Sequence, residues 1–424
     1  MDCMINIRFR AIVSGIIFSC TGSVMASTLL DAYHQSLNHD SVYMQAQAEY
    51  MSQKEATKSA WSAFFPRISA SGDLLSNHSD NDIDSFAVNG TQTVFNWSAI
   101  KRVSKAQAQV RQAVLDLSVA QQDLMQRVVT RYLDVVRTHE IDILTKEQVD
   151  AVKQQMEAVK ERYRLHHATV TDLDRIKASY DLYRSQLVTA DIQLHNAQQQ
   201  LIELTGAPIK HIPRFKSSFK LLHPQPNQLS LWLKRVTQQN LSIQSASEGV
   251  AVAKAALGES RGGYFPVIGA KASYYPTDPE YVDEHFLYEL TVDYDGFQGG
   301  AVSANVASAM ALYQKSQAER QGVYNNAMML ANSAFSSMVN GISQIKAEKR
   351  AVESNASALK NTSEGYNAGN QTLLDVIDQQ TNLYNANIQY VAGRVQYLSA
   401  LSLLEQQAGT LKPNTLEHLQ GWFR

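Results

Sequence analysis

The sequence predicts a mainly α protein in which two copies of a unit of about 200 residues each join long coiled-coil helices to a short β-hairpin. Three observations predict it. The chain repeats itself: Phe65-Pro66-Arg67-Ile68-Ser69-Ala70 returns as Phe265-Pro266-Val267-Ile268-Gly269-Ala270, at an offset of 200. Tyr163, Thr169, Asp172, Leu201 and Gly206 return as Tyr366, Thr372, Asp375, Leu404 and Gly409, at an offset of 203. Heptad seams run along the helical stretches, and segments of strict two-residue alternation lie between them.

The first 26 residues read as a secretory signal. Arg8 and Arg10 precede a short apolar run from Ala11 to Cys20, and Val24-Met25-Ala26 offers the cleavage site. The run is shorter than the roughly 20 apolar residues of a membrane helix. Both cysteines, Cys3 and Cys20, would leave with the signal, so no disulfide is expected. The alternative, Cys20 as a lipid-modified N-terminus, is disfavoured by Ile17-Phe18-Ser19, a poor match to the small-residue box such processing needs.

Residues 27–206 form repeat 1 and 229–409 repeat 2. Each begins with a helical stretch, 28–63 and then 229–262. Pro66 and Pro266 end these stretches, because proline cannot continue a helix and turns its predecessor toward extended geometry. A β-hairpin follows, over about 67–95 and about 267–297. Phe95-Asn96-Trp97, matched in role by Phe297-Gln298-Gly299, then opens a very long helix, 98–165 and 300–366. At 1.5 Å per residue such a helix reaches about 100 Å, more than a globular domain needs. The glycine pair Gly299-Gly300 is read as a site of close helix packing. A turn leads into a last helix, 171–205 and 374–408, closed by Gly206 or Gly409. A Pro-bearing segment, 207–228, joins the repeats, and 410–424 forms the tail.

The helical seams alternate large and small residues. Leu173, Tyr180, Leu187, Leu194 and Leu201 are seven apart, as are Val376, Leu383, Tyr390, Tyr397 and Leu404. Ala190, Ala197, Ala386, Gly393 and Ala400 lie three residues beyond frame positions. Val103, Val110, Leu117 and Leu124 repeat the pattern with Ala106, Ala113 and Ala120 between them. Such a seam lets neighbouring helices approach closely and supercoil.

The alternating segments are candidate membrane strands. Phe286, Tyr288, Leu290, Val292 and Tyr294 face one way, as a lipid side; Leu287, Glu289, Thr291 and Asp293 face the other. Ile68, Ala70, Gly72 and Leu74 form one face of the first segment, and Ile268, Ala270, Ala272 and Tyr274 one face of the third. Segment 85–95 is weaker, with Phe86, Val88 and Val94 interrupted by Gly90 and Gln92. Four strands cannot close a barrel, and an open edge in lipid leaves backbone groups unsatisfied, so several copies must pool their strands.

Composition excludes several classes. With 44% hydrophobic and 18% charged residues the chain can build a core, so disorder is not its main state. Twenty glycines and two cysteines exclude collagen-like and disulfide-scaffold proteins. A formal charge of −2 without a basic stripe gives no expectation of nucleic acid. No nucleophile constellation or phosphate-binding glycine loop supports an enzyme, and no cofactor is expected. The adjacent His166-His167 lacks ligand spacing for a metal. The tip Asp80-Asn81-Asp82-Ile83-Asp84 lacks the glycine and terminal glutamate of a calcium loop and reads as solvated loop; the tip Asp278-Pro279-Glu280, with Asp283 and Glu284, is acidic too, and both are expected to face outward.

At this point the residues resemble the TolC family of bacterial outer-membrane efflux and type I secretion proteins. The Phe65-Pro66 and Phe265-Pro266 junctions, Phe297-Gln298-Gly299-Gly300, and Tyr366-Asn367-Ala368-Gly369 with Thr372-Leu373-Leu374-Asp375-Val376 carry the likeness, over nearly all of the chain after the signal. The resemblance implies a homotrimer: a 12-stranded β-barrel in the outer membrane on a 12-helix α-barrel across the periplasm, with an equatorial belt from 207–228 and 410–424. It implies an exit duct, engaged by a periplasmic adaptor protein and an inner-membrane transporter, that catalyses nothing. It also implies a gate at the periplasmic helix turns. Asp375 and Asp378 match acids ringing the closed entrance, and Thr171, Asp172 and Tyr366 match the network that holds it shut. Two positions depart. The family's gating arginine falls at Gln371, so the charged clamp onto Asp172 cannot form as such, and the turn glycine present as Gly369 is His166 in repeat 1. A weaker clamp, or one titrated by His166 or His167, is the expectation. A soluble periplasmic coiled-coil scaffold is the alternative, though a scaffold has no need of the lipid face on 286–294.

Overall fold

The computed structural model describes residues 28–75, 83–209, 211–275 and 285–424. The signal segment with Cys3 and Cys20, and most of both acidic tips, lie outside the described residues. Repeat 1 runs α1 (Leu29–Ser36), α2 (Ser41–Trp61), β1 (Arg67–Leu75), β2 (Ile83–Phe95), α3 (Trp97–Arg164) and α4 (Val170–Thr205). Repeat 2 follows with α5 (Leu229–Gln239), α6 (Leu241–Ser260), β3 (Val267–Tyr274), β4 (Phe286–Asp293), α7 (Ala301–Asn367) and α8 (Leu373–Gln407). A short α9 (Pro413–Gln420) ends the chain.

The long helices follow from composition. None of the 68 residues of α3 is glycine or proline, so nothing interrupts its hydrogen-bond ladder. It starts at Asn96, whose side chain accepts the Ala99 N–H at 3.0 Å, and at 1.5 Å per residue it is about 100 Å long. The shorter α4 and α8, of 36 and 35 residues, begin with matching capping boxes, Thr169 with Asp172 and Thr372 with Asp375. Gly206 and Gly409 adopt φ of 71° and 69° where these helices end.

Several expectations need correction. The single helix expected over 28–63 is two, and so is that over 229–262. Asp40 caps α2 by accepting the Tyr43 N–H, and Asn240 ends α5 while capping α6 through the Ile243 N–H. The first break spans residues 37–40 and the second only Asn240, and the capping side chain at each is a signal that apolar periodicity does not register. The packing role expected for Gly299-Gly300 is also absent: both take left-handed conformations, φ 57° and 86°, and nothing lies within 4 Å of a Cβ added at Gly299. The pair turns the chain into α7, a conformation that disfavours side chains. β4 ends at Asp293, so the second hairpin stops short of Phe297.

The strands form one antiparallel sheet in the order β1-β2-β3-β4. On one side of it α2, α3, α6 and α7 pack in the same order, since each is joined to the strand of like rank. Farther along, α3 packs against α4 and α8, and α7 against α8. The main core sits at mid-length, where Tyr132, Leu133, Val136, Leu201, Tyr397 and Leu404 are essentially buried. Here segment 207–228 meets the tail: Arg424 donates its N–H to the Arg214 carbonyl at 2.9 Å, and Lys216 to that of Trp422 at 3.0 Å. Tyr397 anchors the same segment by donating its hydroxyl to the Leu222 carbonyl at 2.6 Å. A second cluster, with Val152, Val159, Ile176 and Leu373, holds the far end of the helices.

Candidate functional site

Two regions hold the candidate site residues: the sheet, and the pair of helix turns at the opposite end. In the sheet, direct cross-strand partners share a face. Ile68 lies opposite Gly90, Gly90 opposite Ala272, and Ala272 opposite Tyr288. Ala70, Val88, Tyr274 and Phe286 form a parallel row. Ala270 with Leu290, and Ile268 with Val292, complete the face. The four separate alternations thus register into one apolar surface. Its side chains stand open, Tyr288 at 77% and Leu290 at 71% exposure. Tyr294, just past the strand, is exposed too.

The other face is polar. Lys271 lies between Thr91 and Glu289, and Ser273 donates to the Asn89 amide oxygen at 2.8 Å. The weakness of segment 85–95 has a structural cause. The ladder shifts register between Thr93 and Phe95, making Val94 the extra residue of a bulge. Gln92, on the apolar side, spends its amide N–H groups on the carbonyls of Phe64 and Thr93. Both outer strands, β1 and β4, have one edge unpaired in the sheet.

At the far end, α3 and α7 close with the same motif. His167 donates its N–H to the Arg162 carbonyl and Asn370 to that of Gly365, both at 2.8 Å. His166 takes φ 62° where Gly369 takes 82°. The acids expected at the gate divide between local and open roles. Asp172 accepts from the Thr169 hydroxyl at 2.7 Å and N–H at 3.0 Å; Asp375 accepts from the Thr372 hydroxyl at 2.7 Å and N–H at 2.8 Å. The Thr372 hydroxyl and backbone N–H hold the Asp375 carboxyl below the ordinary carboxylate range. Thr171, Gln371 and Asp378 are exposed. Tyr366 is half-buried beneath the Arg162 guanidinium, 4.7 Å from its ring centroid, and both line a cavity of about 180 Å³ between α3 and the α7–α8 turn. Arg162 escapes sequence reasoning, because no spacing signal links it to Tyr366. Among the described residues no group of side chains is arranged to hold a metal ion, and no helix is long and apolar enough to cross a membrane.

Known proteins share this arrangement. A family model described as outer membrane efflux protein matches residues 32–207 and 232–410, the two repeats. The outer membrane protein TolC of Escherichia coli (strain K12) is 24% identical over 415 residues, covering 92% of this chain and 84% of that protein. The proteases secretion protein PrtF of Dickeya chrysanthemi is 23% identical over 445 residues, covering 98% and 96%. In fold, the chain matches the crystal structure of the outer membrane protein VceC from Vibrio cholerae, with a TM-score of 0.77 at 17% identity, over 90% of this chain and 96% of that one.

Proposed function

The chain belongs to the outer membrane efflux protein family, and from that premise we propose how it works: three copies pool their sheets into a twelve-stranded barrel standing on a twelve-helix tube. As a member of that family it is an outer-membrane exit duct that extends into the periplasm, serving efflux or type I secretion. The observation that carries the trimeric reading is the four-stranded sheet with one continuous apolar face and an unpaired edge on both β1 and β4. In lipid those edges must find partners, and identical copies supply them head to tail. The apolar face meets the acyl chains, and the face bearing Lys271 and Glu289 lines water.

In this reading residues 1–26 direct export, and 207–228 with 410–424 form a belt at mid-length. Thr171, Asp172, His166, Tyr366, Gln371, Asp375 and Asp378 surround the entrance. The charged clamp lost at Gln371 is replaced by a softer closure in which Arg162 rests on Tyr366. An adaptor protein and an inner-membrane transporter engage that end. The alternative, a soluble scaffold, leaves the apolar sheet face unexplained. The test is reconstitution of detergent-extracted protein in planar bilayers, with chemical crosslinking. The expected result is crosslinked trimers and discrete conductance steps. Monomers that pass no current would defeat the proposal.

A further inference from the structure

A groove of about 740 Å³ lies between α3, α6 and α7, immediately below the sheet. This volume is within the range of small-molecule sites. Trp97, the first residue of α3, and Phe265, next to the junction proline, form one end, their rings 5.1 Å apart. Ala251, Ala255 and Gly258 of α6 make a low floor, and Met310 and Tyr313 of α7 form the opposite wall. Four cations line it: Lys101, Arg111, Lys254 and Arg261. No carboxylate does.

The charge is only partly compensated nearby, since Glu259, next to Gly258, is taken up by Arg102 and Lys105. Arg111 pairs with Glu248 at 2.9 Å, and Lys101 sits 4.6 Å over the Trp97 ring. Among the described residues Lys101, Lys254 and Arg261 have no carboxylate partner. The first acid of α3 is Asp116, after Lys101, Arg102, Lys105 and Arg111, in a chain whose formal charge is −2. Other cations lie farther along α3, among them Arg127, Arg131 and Arg137, but at the level of the groove α3 carries cations and no acid. A neutral apolar ligand would strip water from them without return, and a bare anion would leave the aromatic end unused. A cation would be repelled.

We propose that this groove binds an amphiphile with a single anionic head, phosphate or carboxylate, on an apolar body. The rings of Trp97 and Phe265 pack on the body, and Lys254 and Arg261 hold the head. Two sources share this chemistry, a phospholipid from the adjoining membrane leaflet and an anionic amphiphile in transit.

The full-length protein in a neutral maltoside detergent is titrated with dodecyl phosphate, and binding is read by native mass spectrometry. Retention against excess neutral detergent reads the preference for the anion. One bound molecule per chain is expected. Lys254→Ala with Arg261→Ala should weaken binding at least about tenfold, whereas Lys254→Arg and the remote Lys360→Ala should leave it unchanged. Unaltered gel-filtration and thermal profiles establish that the double variant is folded. The source is read in two arms. Anionic phospholipid that copurifies with the unmodified protein and is lost from the double variant assigns the site to the membrane. Cells carrying the double variant that become sensitive to dodecanoate, with no lipid retained, assign it to cargo. No binding of dodecyl phosphate, or binding by the double variant within about twofold of the original, overturns the proposal. So does binding accompanied by neither lipid retention nor sensitivity.

Discussion

His166 and Gly369 occupy the same position in two copies of one helix-ending turn, with φ of 62° and 82°. Glycine reaches this conformation freely, whereas a residue with a Cβ pays for it. Nothing lies within 4 Å of a Cβ added at Gly369, so the difference between the two turns is conformational rather than steric. Replacing His166→Gly should therefore stabilise the first turn by about 0.5–1 kcal/mol, and Gly369→Ala should loosen the second by a similar amount. Amide exchange at residues 166–169 would slow about two- to fivefold in the first variant. Unchanged exchange in both would show that neighbouring copies, not the turn itself, fix the tip.

The capping boxes make a pH-dependent prediction of one sign. The Thr372 hydroxyl and N–H depress the folded-state pKa of Asp375. Its stabilising effect is then fully present above the ordinary carboxylate range, about pH 4, and disappears as pH falls through the depressed value. Asp375→Asn should fray the first turn of α8 at pH 6, seen as faster exchange at residues 375–378, and the effect should fade in acid. An equal effect at both pH values would mean the charge is irrelevant there.

A carboxyl at mid-length predicts the opposite sign. Burial raises the pKa of Glu405, against the hydrogen bond it accepts from the Thr415 hydroxyl at 2.6 Å. A raised carboxyl favours the folded state while protonated, so that contribution is lost as pH climbs from the ordinary range through the raised value. Glu405→Gln keeps an acceptor for Thr415 and removes the ionisation. It should raise the unfolding midpoint at pH 8 and leave it unchanged at pH 4. A loss of stability at pH 8 would contradict this account.

Much of the architecture was legible in the sequence, for physical reasons that also mark the limit. Period two in Ile268–Tyr274 and Phe286–Val292 determines which side chains share a face, and the register then aligns them. Gly206 and Gly409 announce their turns because a left-handed helix end selects glycine. Short local events stay hidden: the turn at residues 37–40, capped by Asp40, and Asn240 break helices without disturbing the apolar pattern, and the Val94 bulge depends on the neighbouring strand. At the tip the capping boxes could be read from spacing, since Thr169 and Asp172 are local partners. The contact of Arg162 with Tyr366 could not, because it joins helices about 200 positions apart.

The join between α3 and the segment after α4 rests on Glu140, which is 5% exposed and accepts from the Arg214 guanidinium at 3.0 Å and the Phe215 N–H at 3.0 Å. Arg394 of α8 stacks on Phe215 at 4.3 Å beside this pair. Because Arg214 is partly open to water, the loss on Glu140→Gln should be about 2 kcal/mol rather than the larger cost of a fully buried break. Removing both charges, Glu140→Gln with Arg214→Gln, should recover part of that loss. Denaturant unfolding of the four proteins measures the coupling, and strict additivity would mean the pair contributes nothing.

The sheet offers the sharpest contrast, because neighbouring residues at one depth are assigned to lipid and to water. Leu290 lies on the apolar face opposite Ala270, and Thr291 on the polar face opposite Gly269. A lysine ammonium at mid-depth on the lipid side costs about 2–4 kcal/mol, whereas one facing a water-filled lumen keeps its hydration. Leu290→Lys should therefore reduce the share of protein recovered as heat-resistant oligomer in the outer membrane, and Thr291→Lys should leave that share near the original while changing the channel's ion preference toward anions. The two substitutions differ by one position in sequence and share a chemical change, so expression and charge effects cancel in the comparison. Equal recovery of both variants would mean the exposed row from Phe286 to Val292 does not meet lipid, and the apolar face would then need a protein partner instead.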